Sequence, residues 1–154
     1  MEDDEKSDND VFQVDSRRNV LMAWGYNKFG ELGTMPKLSR ASGLSTISNN
    51  INDIILEPQV VKVKPEVNFV FSGKDSSMVI TTKNNLMVCG SSQSNRFCEK
   101  DQETANKIYN LKYFHYMKKD EIKALNIAQA NCGDYHSVIV TSEGHLFAWG
   151  GSVS

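Results

Sequence analysis

The chain has 154 residues, 40% of them hydrophobic and 23% charged, with three prolines, a net charge of −2 and a mean hydropathy of −0.42; this excludes the disordered, collagen-like and disulfide-dense classes. No apolar run approaches the ~20 residues that a membrane-spanning helix needs. Three cysteines (Cys89, Cys98, Cys132) without a C-x-x-C pair fit free thiols in a reducing compartment, so an intracellular protein is expected.

In chain order, the first element is a leader. Residues 1–15 hold seven acids against one base, too polar to offset the entropy of ordering, so residues 1–18 are expected to be a disordered acidic tail and residues 19–154 the folded part. The lysines of that part are scattered, and direct nucleic-acid binding is not expected. A short strand then ends at Trp24-Gly25 and runs into Asn27, Gly30, Leu32 and Gly33. Trp24 reads as a core anchor beside a turn that only glycine permits. Residues 34–57 read as a surface insertion, rich in Ser and Asn over 39–52, with the chain restarting at Pro58 in a strand over 59–63. A phosphorylation-controlled loop is the functional alternative for that insertion.

Residues 73–94 and 133–154 superpose without a gap at an offset of 60: Gly73 on Gly133, Ser77 on Ser137, Thr81 on Thr141, Leu86 on Leu146, Gly90 on Gly150 and Ser92 on Ser152. Intervening positions keep their class, Met78-Val79-Ile80 over Val138-Ile139-Val140. Each unit reads as a β-hairpin whose turn needs a left-handed residue, supplied by Asn84 or Gly144. The frame that starts at Trp24 recurs from Cys89 to Cys98, with Ser92 in the place of Asn27, Asn95 in that of Gly30 and Phe97 in that of Leu32. Cys89 replaces the tryptophan, so the second unit is expected to be the weakest packed. Between the hairpins, 110–117 has the aromatics of an outer strand, whereas 99–107 reads as loop or short helix. The lysines beside those aromatics could accompany base stacking, but strand packing is the preferred reading.

Trp24-Gly25-x-Asn27-x-x-Gly30-Glu31-Leu32-Gly33, with Gly133-x-x-His136-Ser137 and Gly144-x-Leu146-x-x-Trp149-Gly150, resembles the repeat of the regulator of chromosome condensation family over about 20–98 and 126–154. The resemblance implies an all-β fold, antiparallel blades of an incomplete β-propeller, since the family ring has seven blades and this chain holds about two and a half repeats. A chain stopping inside a repeat is expected to be poorly stable or oligomeric on its own.

Propellers suit protein binding more than chemistry. The resemblance therefore implies an interaction scaffold with a protein partner, a small GTPase among the candidates, and no membrane. Its alternatives are guanine-nucleotide exchange on a Ran-type small GTPase or the repeat region of a larger enzyme such as a ubiquitin ligase. The acidic leader argues mildly against the exchange reading. Catalytic motifs are lacking, and Cys132, His136 and His145 do not have a zinc spacing, so neither enzyme activity, metal nor cofactor is expected. His136 and Ser137 are expected to tie adjacent blades by hydrogen bonds. Asp75 and Asp134 are the candidate partner-binding residues because they fall on one rim.

Overall fold

The computed structural model describes residues 20–35, 53–99, 103, 107–117 and 120–151. The expected leader over 1–18 and the Ser/Asn-rich stretch 39–52 lie outside them. Among the described residues, nine strands form three antiparallel sheets, each a blade. Blade 1 pairs β1 (Met22–Tyr26) with β2 (Ile54–Val60). Blade 2 runs β3 (Val67–Gly73), β4 (Ser76–Thr81), β5 (Leu86–Ser91) and β6 (Asn110–Tyr116). Blade 3 runs β7 (Ile127–Cys132), β8 (His136–Thr141) and β9 (Leu146–Gly150). The chain is therefore a run of antiparallel propeller blades, with the outer strand β6 within one residue of its expected bounds.

The two hairpins have the same geometry. Ser76 faces Gly90 and Ile80 faces Leu86 in blade 2; His136 faces Gly150 and Val140 faces Leu146 in blade 3. Asn84 (φ 59°) and Gly144 (φ 83°) take the left-handed turn position, and each donates its amide to the threonine carbonyl three residues before it. That threonine's hydroxyl accepts the amide after the left-handed residue, Asn85 on Thr81 at 3.1 Å and His145 on Thr141 at 3.2 Å. A backbone hydrogen bond and a hydroxyl cap thus set the register of each hairpin locally.

The core lies between blades rather than within them. Met78, Ile80, Leu86 and Val88 from one face of blade 2 pack with Ile127, Ala130 and Ile139 of blade 3 and with Ile122 from the single helical turn α1 (Asp120–Lys123). The other face of blade 2 presents Val79 and Met87, which with Val67 meet Leu21, Val63 and Phe114 on the side of blade 1. β4 and β5 contribute to both clusters because alternate residues point to opposite faces.

Two expectations are corrected here. β2 starts at Ile54, before Pro58 rather than after it. Among the described residues β2 pairs only with β1, and an edge strand accepts a proline because the missing amide is not needed for a ladder bond. The second correction concerns the Cys89 blade, which is not the weakest packed: every residue of β5 is buried. Blade 2 has a neighbour on both sides, and the Phe114 ring lies against Gly33 near the Cys89 thiol, in the space that a smaller residue leaves.

Candidate functional site

The repeat residues converge on the joints between blades. After β1 and after β5 the chain makes a tight loop whose geometry repeats. Gly30 (φ 88°) and Asn95 (φ 54°) are left-handed, as are Gly33 (φ 66°) and Cys98 (φ 52°), and in each loop the second of the pair donates its amide to the carbonyl of the first. Asn27 holds the first loop together. Its side-chain amide donates to the Thr34 carbonyl at 2.7 Å, and its Oδ1 accepts the Leu32 amide at 3.0 Å.

Each loop turns one backbone carbonyl toward the next blade. The Glu31 carbonyl accepts the Ser77 hydroxyl at 2.7 Å and the Cys89 thiol at 3.4 Å. The Arg96 carbonyl accepts the Ser137 hydroxyl at 3.1 Å and the Trp149 indole N–H at 2.9 Å. Ser137 therefore ties blades as expected, and Ser77 does the same at the joint before it. His136 does not: its side chain is exposed, with the ring against Gly133 in its own hairpin. The same comparison corrects Trp24, which is 59% exposed rather than a core anchor. Trp149 rests on the loop of the blade before it, and among the described residues no such loop precedes Trp24.

The glycines of the motif mark close approaches. Gly90 (φ 98°) and Gly150 (φ 123°) end their strands against the Asp75 and Tyr135 carbonyls, where a Cβ would strike backbone. Gly73 is packed against the Gly133 carbonyl of blade 3, which brings the two hairpin mouths together. Leu146 is 68% exposed on the open face of blade 3.

At those mouths the structure gathers charge. Arg96 is buried, its Nε donating to the Gln93 carbonyl at 2.9 Å and its Nη1 to the Lys74 carbonyl, while Nη2 has no hydrogen-bond partner. Burial lowers the guanidinium's pKa from its ordinary value, and the fields of Asp75 and Asp134 oppose that shift. Lys74 lies over the Tyr135 ring at 5.7 Å. Asp75 and Asp134 both act electrostatically on Arg96, a residue that sequence reasoning missed. Its only signal was a bulky cation in a loop otherwise built of small and polar residues.

Residues 127–154 match the sequence profile described as the regulator of chromosome condensation (RCC1) repeat. Blade 3 is a regulator of chromosome condensation repeat. The joint between blades 1 and 2 repeats the one between blades 2 and 3. No curated protein sequence is significantly similar to the whole chain. Among solved structures, human WBSCR16 is 20% identical with a TM-score of 0.60, over 85% of this chain and 29% of that one. Prp20p of Saccharomyces cerevisiae is 17% identical with a TM-score of 0.59, over 86% and 29%. Yeast RCC1 (Prp20), solved with Kap60 bound to it, is 18% identical with a TM-score of 0.58, over 86% and 28%. The chain therefore spans about three-tenths of the length of these structures.

Proposed function

We propose that the chain acts as an intracellular protein-binding scaffold without catalysis, and that the rim formed by Lys74, Asp75, Arg96, Asp134 and Tyr135 engages the partner. The observation that carries this reading is the buried Arg96 Nη2, without a hydrogen-bond partner and in the field of Asp75 and Asp134, at a joint fixed by side-chain bonds to the Arg96 carbonyl. The exposed Lys74 and Asp134 and the half-buried Tyr135 around that joint have the chemistry of an interface. Likeness to Prp20p, solved with its binding to Gsp1p and histones and also in complex with Kap60, supports a protein as the ligand class. It also keeps a second reading in view, nucleotide exchange on a small GTPase.

Biolayer interferometry against purified small GTPases and core histones tests the proposal, with Asp134→Lys and Tyr135→Ala variants that leave the core untouched. Binding weakened at least about tenfold by either substitution supports the rim. Binding that both variants leave unchanged, or no binding to either class, overturns it. Release of a fluorescent GDP analogue measured in parallel separates the readings: acceleration by the chain favours exchange over a scaffold.

A further inference from the structure

Blade 2 holds a cavity of about 310 Å³ whose walls come from β5, the loop after it and β6. Phe97 and Tyr109 form an aromatic corner in it, with ring centroids 6.2 Å apart and planes inclined by 55°. Leu111 and Met117 continue the apolar wall, and Glu99, only 8% exposed, brings a carboxylate to it. His115 of β6, which is exposed, completes the lining used here.

These walls are held in place by hydrogen bonds. The Tyr109 amide donates to the Ser92 hydroxyl and the Tyr109 carbonyl accepts the Ser92 amide, both at 2.8 Å. The Glu99 amide donates to Asn95 Oδ1 at 2.8 Å. The loop frame itself does not demand the side chains that line the cavity. With Trp24 laid on Cys89, Phe97 stands where the preceding loop has Leu32, and Glu99 where it has Thr34. Both loops keep the same pair of left-handed positions and the same carbonyl contact to the next blade. Leucine and threonine therefore suffice for the turn, and the ring and the acid of the second loop are additions to it.

We propose that this cavity takes a lysine side chain of a protein partner, its ammonium against the Phe97 and Tyr109 rings and the Glu99 carboxylate, its stem along Leu111 and Met117. Ring faces and a carboxylate all present negative potential, and a cation gains most from a ring where water is excluded. A corner of tilted rings suits a compact ammonium, whereas the planar guanidinium fork of arginine calls for a flat stacking face or a bidentate acceptor. A four-carbon stem that ends in a charge matches apolar walls with a single acid. This contact rests on the reading of the chain as a protein-binding scaffold and gives it an anchor separate from Arg96.

Titration of the full chain with n-butylammonium, which is the lysine side chain without its backbone, tests the cavity by methyl-resolved NMR. The expected result is saturable shifts centred on the Leu111 and Met117 methyls, with n-butanol binding at least about fivefold more weakly. Glu99→Gln should weaken n-butylammonium binding at least about fivefold, and Phe97→Leu about threefold. Phe97→Leu keeps the test decisive even where Glu99→Gln disturbs the loop, because Leu32 fills the same position in the loop before it. Absence of shifts, equal binding of n-butanol, or a Phe97→Leu variant that binds like the wild type overturns the proposal. Tighter binding of choline than of n-butylammonium also overturns it, by pointing to a free quaternary ammonium compound instead of a lysine. The probe needs no partner, so failure here strikes the cavity alone, and interferometry with the GTPases and histones still decides the rim.

Discussion

The joint between blades 2 and 3 makes a quantitative prediction. The buried Arg96 carbonyl has two donors, the Ser137 hydroxyl and the Trp149 indole N–H, at 3.1 and 2.9 Å. Ser137→Ala removes one and leaves the other, so the acceptor stays satisfied and the loss is that of one ordinary hydrogen bond, about 1 kcal/mol. Trp149→Phe removes the second donor and part of the ring's buried surface, about 2 kcal/mol. Together they leave a desolvated carbonyl with nothing to accept, and the orphaned group adds a penalty of roughly 1–3 kcal/mol beyond the sum. Urea unfolding of the wild type, both single variants and the double variant, followed by far-ultraviolet circular dichroism, completes the cycle. Single-variant losses that add to the double within about 0.5 kcal/mol would refute the reasoning, since independent sites behave that way.

The blade 1–2 joint should respond more strongly to its serine: Ser77→Ala leaves the Glu31 carbonyl with only a thiol donor at 3.4 Å, so its loss in the same urea assay should exceed that of Ser137→Ala. Gly90→Ala forces a Cβ into the Asp75 carbonyl at φ 98° and should destabilise by roughly 3 kcal/mol or more, measured as a shifted midpoint. Burial raises the Glu31 carboxyl pKa above 4.5, a larger effect than the hydrogen bond from the Phe29 amide, which lowers it. A raised folded value means that stability is fully present below 4.5 and declines as pH rises through the folded pKa, so Glu31→Gln should match the wild type in acid and exceed it at neutral pH. Burial also pushes the Cys132 thiol up from 9.0 to about 11; alkylation of native protein should be slow at pH 9 and accelerate toward pH 11, and labelling at pH 8 as fast as in urea would contradict it.

Much of the fold was legible because hairpins are local. The offset of 60, the left-handed Asn84 and Gly144, and the aromatics of β6 lie within short stretches, and the structure places all of them as read. What failed depended on neighbours. Trp24 and Trp149 have the same sequence context, yet one is 59% exposed and the other packed, because burial is decided by the loop of another blade. Cys89 was read as a loss of packing, whereas Phe114, 25 residues away, occupies the space. β2 was trimmed because Pro58 was taken for a boundary, and only the pairing order reveals an edge strand. Arg96 was not legible, because it sits in a loop whose frame points to turn geometry alone.

Glu31 and Arg96 occupy the same position in consecutive loops and carry opposite charges, yet both serve their joint with the peptide oxygen. The joining of adjacent blades and the charge displayed at their joint are therefore under separate control. A substitution at this position can reverse the local field while the bond that holds the blades is retained. The charge at each joint can therefore change residue by residue without passing through an unfolded intermediate sequence.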